Sequence, residues 1–267
     1  MLERGDGGPH VRGLIEEDPH PHAGRDADKP EKVDLAIVAL PAPLVEPELD
    51  RLHEKDIRRA IIISSGFAEV GEAGISMQTR IAEKAKRYGI RIIGPNALGV
   101  YNTDNGLDSF FVSRERVSRP EPGGLSVISQ SGAITVIIME ALTRDGMGIA
   151  KAVNYGNRLD IDDADCLDYF ADDPRTGAVA MYMESVADGV KFLRSAKAFA
   201  AKKPLVIWKA GKFELGAAAV ASHTATLAGT PAASLPRRRV CTCSSSQAAI
   251  ACARLEPPAH RPGPIEH

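Results

Sequence analysis

Short apolar segments alternate with longer amphipathic ones over most of this chain, from Val33 to about Thr230. Apolar residues that recur every three or four positions predict helices, and short apolar runs between turn residues predict buried strands. Strands that alternate with helices form parallel sheets covered on both faces. The sequence therefore predicts an α/β fold. The predicted strands are Val33–Leu40, Ala60–Ser64, Arg91–Ile93, Leu125–Ile128, Ala150–Asn154, Ala178–Met183 and Leu205–Lys209, and the predicted helices are Glu48–Lys55, Ile75–Arg87, Gly132–Arg144, Asp163–Ala171 and Gly189–Ala201.

A stretch rich in proline and glycine, Pro120 to Gly124, interrupts the alternation and is predicted to be a linker. It divides the chain into a first domain over residues 33–119 and a second over residues 123–230. The ends do not share the pattern. Residues 1–32 form an irregular segment, and residues 231–267, which hold three of the four cysteines and six of the eighteen prolines, are predicted to be disordered.

The overall composition argues against several classes of protein. A formal net charge of −2 provides no basic field for nucleic acid or an anionic membrane. No apolar run approaches the roughly 20 residues of a membrane span, and the N-terminus lacks the apolar centre of a secretory signal. Because Cys166 stands alone in the body of the chain, we expect no disulfide framework and a cytoplasmic location. Cys241 and Cys243 alone are weak evidence for a metal, and no metal site is expected.

Three strands of the first domain end in small, polar or proline residues. The endings are Leu40-Pro41-Ala42, Ser64-Ser65-Gly66 and Gly94-Pro95-Asn96. Ligands of open parallel sheets bind beyond the carboxyl ends of the strands, where short side chains let a nucleotide approach the backbone. Each ending alone is also compatible with an ordinary turn, but three on successive strands indicate a ligand-binding edge.

In the second domain, Ser129-Gln130-Ser131-Gly132 follows a predicted strand and opens a predicted helix. Backbone N–H groups at a helix start can bind a phosphate dianion, and Ser131 can cap the helix or contact the phosphate. The same four residues are also compatible with a helix cap that binds no ligand. The chain has no Walker A motif, so the sequence indicates no nucleoside-triphosphate site of its own.

A carboxylate and a histidine complete the candidate chemistry. Glu184 follows the predicted strand Ala178–Met183, and His223 lies in a segment of small residues. An imidazole can accept and return a phosphoryl group, and a carboxylate on its other nitrogen fixes the tautomer and supports the cation. Taken alone, Glu184 is equally compatible with a surface acid and His223 with a solvated histidine.

In their order along the chain, these motifs resemble the CoA-binding subunit of the nucleoside-diphosphate-forming acyl-CoA synthetases. This family includes ADP-forming acetyl-CoA synthetase and the alpha subunit of succinyl-CoA synthetase. The resemblance covers about 200 residues, from Val33 to Thr230. It rests on residues 33–38, 41–42, 94–99, 128–133, 156–160, 183–184, 209–211 and 222–224.

The resemblance implies a Rossmann-like CoA-binding domain, incomplete here, followed by a flavodoxin-like domain. An acid would be converted to acyl-CoA through an acyl phosphate, with His223 carrying the phosphoryl group and Glu184 holding the histidine. ATP, with Mg²⁺, would bind an ATP-grasp domain supplied by a partner subunit or a longer chain. The implied phosphate-binding residues are Ser129, Ser131 and Gly132, and the implied CoA-groove residues are Pro41, Ala42, Ser64, Ser65 and Asn96.

The two ends depart from the family pattern. The family begins with a strand and a glycine-rich turn that have no counterpart before Val33, and after Thr230 it continues as a helix and a strand. We therefore expect a chain that is truncated or out of frame at both ends. Two alternatives remain: a ligand-sensing domain of the kind that precedes the acetyltransferase in some protein lysine acetyltransferases, and an inactive remnant.

Overall fold

The computed structural model of this protein describes residues 33–210 and 240–243. These residues form two separate sheets with helices packed against them. The helices are α1 (Ala42–Glu54), α2 (Glu72–Tyr88), α3 (Gly132–Arg144), α4 (Asp163–Asp172) and α5 (Gly189–Lys202). The strands are β1 (Ala36–Val38), β2 (Arg59–Ile62), β3 (Arg91–Ile93), β4 (Gly99–Asn102), β5 (Leu107–Asp108), β6 (Pro122–Ser129), β7 (Ile149–Asn154), β8 (Ala178–Met183), β9 (Leu205–Lys209) and β10 (Val240–Cys243).

The first sheet is parallel, with three strands in the order β1-β2-β3. Helices α1 and α2 pack on one face of it. The buried residues of α1, Val45, Leu49 and Leu52, are three or four positions apart, which aligns them in one apolar stripe. Helix α1 begins six residues before the predicted helix because Pro43 fits a first turn, where its missing N–H is not needed.

The second sheet has seven strands in the order β10-β9-β8-β6-β7-β4-β5. Its first five strands are parallel, and β4 and β5 are antiparallel additions at the edge. Neighbouring residues of a strand point to opposite faces, and both faces of β6 are covered. Ile128 packs in the core that includes Phe170 of α4 and Phe199 of α5, while Val127 packs in the core with Met139 of α3. The predicted fold class, an α/β chain with two successive units, is confirmed.

Each predicted helix and strand has a counterpart in the structure. Four of them have the predicted bounds: Arg91–Ile93, Gly132–Arg144, Ala178–Met183 and Leu205–Lys209. The predicted linker is wrong in its second half, because β6 already begins at Pro122. Gly123 lets this strand pack closely against the backbone at Gly148, because a Cβ on Gly123 would lie 2.4 Å from the Cα of Gly148. Within the described residues, no helix is long and apolar enough to cross a bilayer.

Strands β4 and β5 were not predicted, and they join the second sheet although the sequence placed residues 33–119 in the first domain. Their partner is the free edge of β7, with Gly99 opposite Asn154 and Asn102 opposite Lys151. Val100 and Tyr101 favour a strand, but the segment has only four residues and both of its ends, Gly99 and Asn102, disfavour one, so its local signal is weak. The chain therefore passes from the first sheet to the second between β3 and β4.

The predicted disorder of residues 231–267 is wrong for Val240–Cys243, which forms β10 and pairs in parallel with Leu205–Trp208 of β9. The backbone groups of these four residues find their hydrogen-bond partners on the edge of β9 that β8 leaves unpaired, which a local sequence pattern does not indicate. The rest of that tail lies outside the described residues.

The segment from Gly156 to Ile161 joins the two units by running along the edge of β3. The backbone N–H groups of Asn157, Leu159 and Ile161 donate to the carbonyl oxygens of Pro95, Gly94 and Ile92, at 2.9, 2.9 and 3.1 Å. Asp160 adds a carboxylate oxygen that accepts from the N–H of Ile92 and from Arg91, each at 2.8 Å. This junction fixes the end of the first sheet beside the start of α3.

Candidate functional site

A cavity of about 730 Å³ lies where the ends of β1, β2 and β3 meet the start of α3. Its volume is within the range of about 300–1,000 Å³ that is usual for small-molecule sites. The structure brings six of the ten predicted site residues to this one cavity, although they come from both domains. They are Pro41, Ser64, Ser65, Asn96, Ser131 and Gly132.

Ser64 ties the three strand ends of the first sheet together. Its hydroxyl accepts a hydrogen bond from the N–H of Leu40 at 3.1 Å, and its carbonyl oxygen accepts one from the N–H of Asn96 at 2.8 Å. Ala42 begins α1 and packs toward Gly66, where an added Cβ would lie 3.2 Å from the Ala42 Cβ. Ala42 is not among the residues lining the cavity, so its predicted role in the groove has only indirect support.

The start of α3 presents free backbone donors to the cavity. Ser131 caps the helix: its hydroxyl accepts from the N–H of Ile134 at 3.4 Å, and its carbonyl oxygen accepts from the N–H of Thr135 at 3.0 Å. The N–H groups of Gly132 and Ala133, which come before them, have no partner among the described residues. Both residues line the cavity, so this helix start can bind an anion.

Ser129 does not face the cavity. Its hydroxyl is buried, donates to the carbonyl oxygen of Ser131 at 2.9 Å and accepts from the Ser131 N–H at 3.3 Å. The hydroxyl therefore closes the turn that leads into α3, which favours a structural role over the predicted phosphate contact.

Glu184 lies at the end of β8 with only 1% of its surface exposed. One carboxylate oxygen accepts a hydrogen bond from the Tyr182 hydroxyl at 3.3 Å, and the other, Oε2, has no partner among the described residues. Its backbone N–H donates to Gln130 Oε1 at 2.8 Å, which places Glu184 beside the Ser-Gln-Ser-Gly turn. A buried carboxylate oxygen without a donor is costly, so this position calls for a further donor.

The surroundings of Glu184 explain how its backbone and one oxygen are held. Burial, together with the nearby Glu184 carboxylate, raises the pKa of Tyr182 well above its usual value, which keeps its hydroxyl a donor. The ammonium of Lys209, at the end of β9, donates to the carbonyl oxygens of Glu184 and Ala210 at 2.8 and 2.7 Å. Burial lowers the pKa of Lys209. The predicted phosphoryl carrier, His223, lies outside the described residues.

Two family models match this chain. One, described as a CoA binding domain, matches residues 12–103, and the other, described as a succinyl-CoA ligase like flavodoxin domain, matches residues 122–253. The ADP-forming acetate–CoA ligase I of Archaeoglobus fulgidus is 43% identical over 201 residues, which are 75% of this chain and 29% of that protein. The alpha subunit of ADP-forming acetate–CoA ligase I of Pyrococcus furiosus is 42% identical over 201 residues, 75% of this chain and 43% of that protein.

A solved structure with the same fold is the dinucleotide-forming acetyl-coenzyme A synthetase 1 of Ca. Korarchaeum cryptofilum in complex with phosphate and ADP. It is 31% identical, with a TM-score of 0.73, and the match covers 91% of this chain and 51% of that chain. The chain belongs to the NDP-forming acyl-CoA synthetase family. It spans less than half the length of the two ligases compared above.

In this member of the acyl-CoA synthetase family, sequence reasoning gave no role to several residues that build the site. Gln130 holds the backbone of Glu184 and Ser185, and Arg158 donates to Ser185 from the junction segment. Asn157 donates to both Glu69 and Gln78, which fix the turn after β2. The contacts made by Gln130, Arg158 and Asn157 join residues 27 to 88 positions apart, so no local pattern could reveal them.

Proposed function

We propose that this chain is the CoA-binding and phosphoryl-carrying part of an ADP-forming acid–CoA ligase, which makes acyl-CoA from a carboxylic acid, ATP and CoA. The observation that carries the proposal is the buried, unpartnered Oε2 of Glu184 at the sheet edge beside α3. An ordinary surface acid would be hydrated, whereas this oxygen is placed to accept from a side chain supplied by another part of the chain.

His223 is the proposed donor to Glu184. The carboxylate accepts from one ring nitrogen, which leaves the other nitrogen as the nucleophile and stabilises the imidazolium that forms on phosphorylation. In the synthetic direction, a carboxylate oxygen of the acid attacks phosphorus, the N–P bond breaks and the acyl phosphate leaves the histidine. The free N–H groups of Gly132 and Ala133 are suited to hold the phosphate oxygens during this transfer.

The cavity supports the second half of the reaction. Pro41, Ser64, Ser65 and Asn96 surround it with short side chains at the carboxyl ends of the strands, where a nucleotide-derived substrate can lie along the backbone. The start of α3 lines the same space. A CoA thiolate in this cavity would reach the acyl phosphate, attack its carbonyl carbon and displace inorganic phosphate.

ATP and Mg²⁺ are proposed to bind an ATP-grasp partner subunit or domain. The support is that the sequence has no phosphate loop for a nucleoside triphosphate, and that the Pyrococcus relative is named as an alpha subunit. The phosphohistidine would then move between the two active centres. Neither the comparisons nor the described residues favour the sensor or the inactive remnant.

The test is phosphorylation of the purified full chain by acetyl [³²P]phosphate, which needs no ATP-binding partner. The wild-type chain should acquire an acid-labile, alkali-stable label, and His223→Asn should acquire none. Glu184→Gln should slow labelling by about 100-fold or more, since the imidazolium loses its carboxylate.

His53→Asn is the matched control. His53 stacks on Tyr88 at 4.1 Å and contacts Arg58, away from the cavity. Its replacement should leave labelling unchanged. Equal labelling of the wild-type chain and His223→Asn would refute the assignment of the phosphoryl carrier.

A further inference from the structure

Arg158 occupies an unusual position in the junction segment. Its backbone has φ +48°, in the left-handed region that residues with a Cβ seldom adopt. Its side chain is nevertheless largely buried: only 11% of it is exposed, and it does not line the cavity. The side chain must therefore be explained by what it touches inside the protein.

The guanidinium of Arg158 grips the residue next to Glu184. One amino group donates to the carbonyl oxygen of Ser185 and the other to the Ser185 hydroxyl, each at 2.5 Å. A second side chain holds the same backbone: Gln130 Oε1 accepts from the N–H groups of Glu184 and Ser185, at 2.8 and 3.2 Å. The backbone that carries the Glu184 carboxylate is thus held by both Arg158 and Gln130.

Arg158 is itself fixed by a buried acid. Its Nη1 lies 3.5 Å from Asp163 Oδ2 at the start of α4, and the other oxygen of Asp163 accepts from the hydroxyl of Tyr155, which is fully buried. Burial raises the pKa of Asp163 and of Tyr155. The guanidinium of Arg158 therefore contacts both the buried Asp163 and Ser185, and these contacts fix its position.

We propose that Arg158 is a positioning residue that sets the direction of the Glu184 carboxylate, a role that rests on the proposed function of Glu184. A planar guanidinium makes two bonds in one fixed geometry, whereas a lysine ammonium acts as a point charge. The neighbouring Asn157 holds the turn of the CoA groove through Glu69. The junction segment thus aligns the two halves of the site.

The test compares initial rates of labelling of the full chain by acetyl [³²P]phosphate. Arg158→Gln should lower the rate roughly 10- to 100-fold, as expected for a misplaced catalytic group, with little change in the KM for acetyl phosphate. Arg158→Lys should recover part of the rate. Arg91→Gln is the matched control, because Arg91 pairs with Asp160 in the same junction but is 59% exposed and does not reach Glu184.

Ser185→Ala keeps the test decisive if Arg158→Gln does not fold. This change removes one of the two acceptors of Arg158 and should also slow labelling; folded Ser185→Ala that labels at the wild-type rate would count against the positioning role. Where Arg158→Gln folds, the Arg158→Gln/Ser185→Ala double variant should be no slower than Arg158→Gln alone. Folded Arg158→Gln that labels at the wild-type rate would overturn the positioning role while the proposed function stands. A wild-type chain that takes no label, or a label that survives His223→Asn, would instead overturn the proposed function.

Discussion

Replacing Gly156 by alanine should destabilise the protein more than the same replacement at a turn glycine with open space around it, because Gly156 lies in the junction between the two sheets. Gly156 has φ +54°, and an added Cβ would lie 2.3 Å from the carbonyl oxygens of both Pro95 and Asn96. Non-bonded heavy atoms pack at about 3.5 Å, so the junction would have to open by about 1 Å. That movement would displace Asn96 in the groove and Arg158 beside Ser185 together.

The size of the effect follows from two contributions. A left-handed conformation costs alanine about 1–2 kcal/mol, and overpacking against fixed backbone adds about 1–3 kcal/mol. Gly156→Ala should therefore lower the free energy of unfolding by about 2–5 kcal/mol. Gly146→Ala provides the control: Gly146 has φ +65°, and its Cβ would meet nothing within 4 Å, so only the first contribution applies.

Urea unfolding followed by the fluorescence of Trp208 measures both variants. Trp208 is the only tryptophan of the chain and packs edge-on against Tyr182 at 5.0 Å, two residues before Glu184. Gly156→Ala should unfold at a clearly lower urea concentration than Gly146→Ala. Equal losses in the two variants would show that the close approach of residues 95, 96 and 156 does not constrain the fold.

Three further predictions concern the second domain. Asp173→Asn should lower the free energy of unfolding by about 3–5 kcal/mol in urea titrations, because it leaves the buried Lys151 ammonium, 2.7 Å away, without its counter-charge. Although burial raises the pKa of Asp173, hydrogen bonds from Lys151 and Thr176 outweigh it and hold that pKa below its usual value. The stability that results from this lowered pKa is present above the unfolded pKa of about 3.9 and is lost as the pH falls through the folded pKa. The free energy of unfolding of the wild type should therefore decrease below about pH 4, and it should decrease less in Asp173→Asn. Ser129→Ala should cost about 1–2 kcal/mol of stability through the lost bond to Ser131, without abolishing labelling of His223; complete loss of label in a folded variant would restore the phosphate-binding role.

The alternation of apolar and polar residues was sufficient to predict the main helices and strands, because the spacing of the apolar residues shows which face of each element is buried. Ser131 was also predictable as a helix cap from its place between β6 and α3. The antiparallel strand β4 was not, because Gly99 and Asn102 have little strand preference of their own and are held by β7.

The site was only partly predictable for the same reason. Glu184 and the strand ends were predicted as site residues because they follow apolar runs, at the edge of the sheet where parallel sheets bind their ligands. The role of Arg158 depends on its contact with Ser185, 27 residues away, and leaves no local signal. For Ser129, the sequence is compatible with two roles, because a hydroxyl in this turn can either bind a phosphate or close the turn. Only the geometry of the turn distinguishes the two roles.

The most direct test of the proposed function is transfer of [³²P]orthophosphate to the full chain in the presence of acetyl-CoA. This reaction requires the CoA cavity and the phosphoryl carrier to act together, since phosphate must first displace CoA and form acetyl phosphate. The account predicts an acid-labile label that depends on acetyl-CoA and is absent in His223→Asn. A chain that binds acetyl-CoA but takes no label, or takes the same label without acetyl-CoA, would contradict it.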